Sequence, residues 1–219
     1  MGVGSRGVRA KSGAQVSEYS GVVFRSRLEA RWALFFDLMG WDWDYEPGMY
    51  PVGGRMYIPD FWVDALGWVE VKGARFLTKV SGAKIARAVG VLPRRCEPFG
   101  RAGRLLIAGR LECEREHFRP VHNVVVADGG VANVFRGVVT GGGVELVGGA
   151  WMRLPSSGVL TDEVRRALCE PGVVEGRSED RVANCYIVAS RVEGVGRKLV
   201  LPDQVRELVS GRWAGRRTR

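Results

Sequence analysis

In the stretch GRMYIPDFWVDALGWVEVKGAR, which begins at Gly54, three charged residues interrupt two runs of Tyr, Ile, Phe, Trp and Val. Asp60 follows a proline, Glu70 comes ten positions later, and Lys72 stands two beyond that. Charge set among such residues is costly to bury unless it is paired, so the three groups call for a common purpose. Both runs, 56–63 and 68–72, have the composition of strands. The DALG between them reads as a tight turn, with an aspartate to open it and Gly67 for a left-handed residue. A loop of Ala65, Leu66 and Gly67 would pair Asp64 with Trp68, Trp62 with Glu70 and Asp60 with Lys72. Side chains alternate along a strand, so Asp60, Glu70 and Lys72 then share one face while Phe61, Val69 and Val71 share the other. Converging carboxylates repel unless a cation lies between them. Hard oxygen donors at a partly hydrated site suit Mg2+, which takes one or two carboxylates and keeps water and substrate phosphate as its other ligands. A lysine beside such an ion can orient or deprotonate a bound water, or stabilise charge on a phosphate, which is the chemistry of phosphodiester hydrolysis. The competing reading is a solvated hairpin face on which Lys72 and Asp60 form an ordinary cross-strand pair.

The elements that must hold these groups are legible on both sides. In FRSRLEARWALFFDLMG, Leu28, Trp32, Phe35 and Met39 recur at helical spacing, Ser26 is the expected N-cap and Gly40 the expected end, giving a helix over residues 26–39. Glu29 lies in its first turn. There it is the last member of a capping box, reaching back to the cap amide, or it is a further acid of the site. WDWDYEP reads as a first strand with Tyr45 and Glu46 near its end, and the hairpin strands follow. LTKVSGAKIARAVGVL reads as a helix and GRLLIAG as a buried strand. The expected order is therefore αβββαβ, an α/β fold. Further on, VHNVVVADGGVANVFRGVVTGGGVELVGG alternates valine runs with turn signals, as a β-meander that either extends the same sheet or forms a separate small lobe. TDEVRRALCEP, with Thr161 as N-cap, and LPDQVRELVSGRWAGR, with Pro202 in its first turn and Gly211 near its end, read as short helices. The second Pro-Asp pair, at 202–203, is thus a helix start without catalytic meaning.

PD, nine residues, then EVK on adjoining strands, with an acid on the preceding helix, resembles the PD-(D/E)xK nuclease superfamily. The likeness is strongest over residues 19–73, fades through about 109, and is closest in character to small phage and mobile-element nucleases and to the TnsA-type transposon endonuclease subunit. It implies a restriction-endonuclease-like αβββαβ core, a mixed sheet flanked by helices, with a β-rich C-terminal extension. It also implies Asp60 and Glu70 as metal ligands, the Val71 carbonyl as a third, Lys72 as the catalytic lysine and Glu29 as an auxiliary acid. The cofactor would be Mg2+, with Mn2+ able to substitute, and the substrate DNA. The alternative is a nucleic-acid-binding or assembly subunit that keeps the fold without cleaving.

With 219 residues, a formal net charge of +9 and a pI near 9.9, the chain can bury a sizeable core and favours an acidic partner, for which nucleic acid fits best. Residues 1–17 read as a flexible basic arm, 18–119 as the nuclease core, and 120–219 as the β-rich extension with a C-terminal helix and basic tail. Arg75, Lys79, Lys84 and Arg87 follow the EVK strand directly and are the first candidates for a phosphate track, with Arg25, Arg27 and Arg31 on the first helix as the second set. A homodimer or larger DNA-processing complex is compatible with this. Neither a signal peptide nor an apolar run long enough to span a membrane is visible, so a cytoplasmic, soluble protein is expected. The four cysteines, Cys96, Cys113, Cys169 and Cys185, form no CxxC and read as reduced thiols; Cys96, Cys113, His117 and His122 are too irregularly spaced for a convincing zinc site. TGGGVELVGG lacks a following Lys-Ser/Thr and a helix, so no ATP site is expected.

Overall fold

The computed structural model describes residues 14–73, 79–93, 103–111, 118–128, 130–154, 172–175 and 180–212. The chain opens with a hairpin of β1 (Ser17–Tyr19) and β2 (Val22–Phe24), turned at Ser20 and Gly21, both at positive φ. Ser26 then caps α1 (Arg27–Met39): its hydroxyl accepts the Glu29 amide N–H at 3.2 Å, and left-handed Gly40 ends the helix. Burial on α1 is wider than the stripe read from the sequence. Ala30, Ala33, Leu34 and Phe36 are buried as well, with Glu29 and Asp37, while Leu28 is only half-buried. A helix buried on most of its circumference lies within the core. Asp37 is tolerated there because the Tyr19 hydroxyl and the Trp43 indole donate to it at 2.7 and 3.0 Å.

Next come β3 (Trp43–Tyr45), a small ribbon of β4 (Tyr50–Val52) and β5 (Arg55–Tyr57), then β6 (Phe61–Val63), β7 (Gly67–Val71), α2 (Lys79–Val91) and β8 (Gly103–Ala108). The order α1-β3-β6-β7-α2-β8 matches the expected αβββαβ, with the β4–β5 ribbon inserted after its first strand. β3, β6 and β7 pair antiparallel and β8 joins β7 in parallel, as a strand–helix–strand crossover demands. The sheet does not stop there. β9 (Phe118–Asp128), β10 (Val131–Thr140) and β11 (Gly143–Leu154) continue it antiparallel from β8, and β12 (Gly172–Glu175) also pairs with β9, giving one mixed eight-stranded sheet. The valine-rich stretch therefore extends the sheet, and β9 runs across the 119/120 boundary.

Core forms on both sheet faces. Phe61, Val63, Val69, Val71, Leu106, Ala108 and Val124 join α1 on one side, together with Val182, Cys185, Tyr186 and Ala189 of α3 (Asp180–Arg191). Trp68, Leu105, Ile107, Val125 and Val134 join Ile85, Ala88 and Val89 of α2 on the other. β13 (Gly194–Val195) and β14 (Lys198–Leu199) return to β1 and complete a four-stranded sheet in the order β13-β14-β1-β2. α4 (Asp203–Ser210) follows, buried through Val205 and Val209, with Pro202 as its N-cap residue and Gly211 at its end. The helix expected from Thr161 lies outside the described residues. No described helix is long and apolar enough to cross a membrane.

Candidate active site

The β6–β7 hairpin keeps the expected faces but not the expected pairs. Trp62 stands opposite Trp68 rather than Glu70, with Phe61 opposite Val69 and Val63 opposite Gly67. The turn opens one residue earlier, the Val63 carbonyl accepting the Leu66 N–H at 3.2 Å. The Asp64 carboxylate is drawn into that turn, where it accepts the amides of Ala65 and Asp42 at 2.8 and 3.1 Å. Each pairing thus moves by two positions in the partner strand, and a shift of two leaves every side chain on its own face. Gly67 takes the left-handed conformation (φ 80°) that the turn needs.

Asp60, just before β6, Glu70, in β7, and Lys72, just after it, come together as the parity argument required. They are 2, 5 and 9 % exposed, and Glu29 is fully buried. A solvated hairpin face is therefore excluded. The Lys72 ammonium makes a short ion pair with Glu70 Oε1 and lies 3.8 Å from Asp60 Oδ2. Asp60 Oδ2 also accepts the Val71 N–H at 2.8 Å, so Val71 acts on the cluster through its amide, while the Lys72 N–H donates to the Ala108 carbonyl at 2.9 Å and ties the strand end to β8. Burial pulls the Lys72 ammonium toward neutrality, but the charges of Glu70 and Asp60 outweigh it and raise its pKa above the ordinary lysine value.

Two tyrosines that sequence reasoning missed complete the arrangement. The Tyr57 hydroxyl, at the end of the inserted ribbon, donates to Glu70 Oε2 at 2.7 Å, and the Tyr45 hydroxyl, at the end of β3, donates to Glu29 Oε2 at 2.7 Å. Burial, reinforced by the adjacent carboxylate, raises both phenol pKa values far above the usual range. Tyr45 was visible as a strand-end residue, but nothing in the spacing tied Tyr57 to Glu70, because the ribbon that brings it back carries no periodic signal of its own. Glu29 does not bond to the cap amide. Its carboxylate reaches one residue further, to the Arg25 N–H at 3.1 Å, which is a cap-like role held alongside Tyr45.

The basic candidates separate. Lys84 lies 5.0 Å from the Tyr57 ring centroid, a cation–π contact beside the cluster, and Arg87 is exposed on the same helix face-to-tip with the ribbon turn at Gly53. The Arg25 guanidinium pairs with Glu46, whose backbone is left-handed (φ 48°) and whose N–H donates to the Asp60 carbonyl at 2.9 Å. Such strain in a non-glycine residue is common beside functional groups. Arg27 and Arg31 turn elsewhere: Arg27 donates to the Gln15 side chain, and Arg31 donates twice to the Val192 carbonyl at 2.9 and 3.1 Å. Arg75 lies outside the described residues, and of Lys79 only the backbone, at the start of α2, is described.

Among the described residues no group of three or more His, Cys, Asp or Glu side chains is arranged to hold a metal ion. Of the four zinc candidates only His122 is described, and it is buried with Nε2 2.7 Å from the Tyr186 hydroxyl. The donor chemistry at Asp60 and Glu70 nevertheless fits a hard divalent cation with water completing its shell. Both donors are carboxylates, and they already converge on one positive group, the Lys72 ammonium. No protein-family model, curated protein or solved structure matches the chain.

Proposed function

We propose that this chain is a Mg2+-dependent DNA nuclease built on a restriction-endonuclease-like PD-(D/E)xK core. The observation that carries the reading is the buried convergence of Asp60, Glu70 and Lys72 at one end of β7, inside the element order αβββαβ. Asp60 and Glu70 would hold the cation, with the Val71 carbonyl as a third donor. Bound there, Mg2+ supplies Lewis-acid polarisation of the phosphate and lowers the pKa of a coordinated water. Lys72, kept charged by its neighbours, stabilises negative charge gathering on the phosphate in the transition state. Tyr57 fixes the rotamer of Glu70, and Tyr45 fixes Glu29, which contributes negative potential to the cluster. Lys84 and Arg87 supply phosphate contacts next to the site, with Arg75 and Lys79 as their neighbours in sequence. Mn2+ would substitute for Mg2+, and a role in phage or mobile-element DNA processing rests on the sequence resemblance.

One observation favours the alternative, a nucleic-acid-binding or assembly subunit without cleavage: both Glu70 oxygens are already engaged, by Lys72 and by Tyr57. A single assay separates the two. Purified protein is incubated with supercoiled plasmid, linear duplex and single strands, with and without Mg2+ or Mn2+. Metal-dependent nicking, linearisation or resection is expected, and it should vanish in Asp60→Ala and Glu70→Ala while DNA affinity holds or rises, because removing a carboxylate relieves repulsion toward phosphate. Cutting by these variants at the wild-type rate would assign the activity elsewhere. Binding without any cleavage by the wild type would select the alternative.

A further inference from the structure

Arg25 lies in the short link between β2 and α1. Its N–H donates to Glu29 Oε2 and to the Tyr45 hydroxyl, both at 3.1 Å. Its side chain reaches the other way, to Glu46 Oε1. Glu46 is tied to the acid cluster from the far side, its N–H donating to the Asp60 carbonyl at 2.9 Å. One ion pair thus spans the mounts of two site acids, Glu29 and Asp60. Both backbones are pinned, so the freedom left is in the two side chains. These are 28 and 30 % exposed, whereas Glu29, Asp60, Glu70 and Lys72 are buried.

The β3–β6 register, Tyr45 opposite Phe61, would set Glu46 opposite Asp60 on the same face, carboxylate against carboxylate. At φ 48° the chain leaves that alternation, and the Glu46 carboxylate goes to Arg25 instead. A left-handed residue other than glycine is strained, and here the bond to Asp60 and the pair with Arg25 offset the strain. The charges nearby give a guanidinium a use. Glu29, Asp60 and Glu70 outnumber Lys72, so an approaching phosphate is repelled unless positive charge meets it. The planar fork of an arginine takes carboxylate and phosphate oxygens in the same way, and an ion pair open to water is weak enough to be exchanged.

We infer that Arg25 binds a DNA phosphate beside the one that is cut, and that Glu46 holds its guanidinium until DNA displaces it. One anion replaces another on a single fork, so Glu46 lowers DNA affinity by the fraction of time that it keeps Arg25 occupied. This inference rests on the nuclease reading and deepens it, naming how the same site receives its substrate.

The test uses the full chain carrying Asp60→Asn, which keeps the backbone bond to Glu46 while no cutting occurs, and a labelled DNA duplex titrated at several salt concentrations. Glu46→Gln added to that parent should raise affinity about two- to fivefold, the worth of an exposed ion pair. Arg25→Ala should weaken binding and lower the log–log salt slope by about one. The double variant decides: without Arg25, Glu46→Gln should leave affinity unchanged. Arg25→Gln, which keeps most of the side-chain length, repeats the cycle should Arg25→Ala unfold. An equal gain from Glu46→Gln with and without Arg25 would mean general repulsion of DNA by Glu46 and overturns the exchange. Affinity and slope unchanged on removing Arg25 overturn it too, and both results leave the nuclease reading standing. With Asp60 intact, loss of Mg2+-dependent cutting in Glu46→Gln at unchanged DNA affinity overturns it in favour of Glu46 as a metal ligand. Failure of the parent chain to bind DNA at all overturns both readings.

Discussion

Lys72 stands where a cation is wanted. Two carboxylates that are almost out of water share its ammonium, and their charge more than offsets the cost of burying it. On the proposed nuclease reading, lysine and divalent cation would compete for the same negative field. Replacing Lys72 with methionine should tighten Mg2+ binding measured by calorimetry by at least about tenfold, since removing one unit charge a few ångströms from a divalent cation is worth about 2 kcal/mol even at the dielectric of water. The same variant should cut DNA orders of magnitude more slowly, since the charge that offsets the phosphate is gone. Unchanged or weaker Mg2+ binding would show that Lys72 does not occupy the cation's ground.

The first turn of α1 does two jobs with adjoining residues. Ser26 satisfies the Glu29 amide, while the Glu29 carboxylate satisfies the Arg25 amide and accepts from Tyr45. Caps of this type stabilise by about 1 kcal/mol, so Ser26→Ala should lower unfolding free energy by roughly that amount in a urea titration. The denaturant slope should be unchanged, because the same surface is exposed on unfolding. A loss well above 2 kcal/mol would mean that the cap also holds the Glu29–Tyr45 pair in register. Further along the helix, Arg31 donates to the Val192 carbonyl and Trp32 to the Gly109 carbonyl, so α1 clasps both the end of α3 and the turn after β8.

Where the large sheet meets α3, His122 sits in the core with its ring against Tyr186 and Trp32. Burial lowers its pKa to about 4. An unfolded histidine titrates near 6.5, so between about pH 6.5 and 4 the unfolded chain binds the proton that the folded chain refuses. Stability should accordingly fall as pH drops through that window, by on the order of 3 kcal/mol from this group. Urea midpoints at pH 7, 5 and 4 check the sign, and His122→Gln should flatten the profile over the same range. A variant with the slope of the parent would assign the acid sensitivity to the carboxylate cluster instead.

Local pattern was enough for α1 with both its caps, for the crossover from β7 through α2 to β8, and for α4, because caps, periodicity and turn glycines act over a few residues. It was also enough to set Asp60, Glu70 and Lys72 on one face. Parity has period two, so an error of two in pairing leaves it intact, and that is why the faces stood although Trp62 pairs with Trp68. The turn itself was decided by Asp64, whose carboxylate had long-range use at Asp42. The β1–β2 hairpin and α3 were legible but unread, the one in the Ser20–Gly21 turn signal before the apolar run Val22–Phe24, the other in Val182, Cys185, Tyr186 and Ala189 at helical spacing. Other features belong to no local window. Tyr57 reaches Glu70 only because the ribbon folds back under α2, and Arg31 is taken up by the Val192 carbonyl, which lies far away in sequence. The continuation of the sheet into β9 depends on non-local pairing as well, since a valine run fits a central strand or a separate lobe equally until its neighbour is known. Residue types and short spacings determined which charges could meet; burial, which turns a solvated pair into a cluster of acids around one lysine, is a property of everything packed around them, and only the tertiary structure decided it.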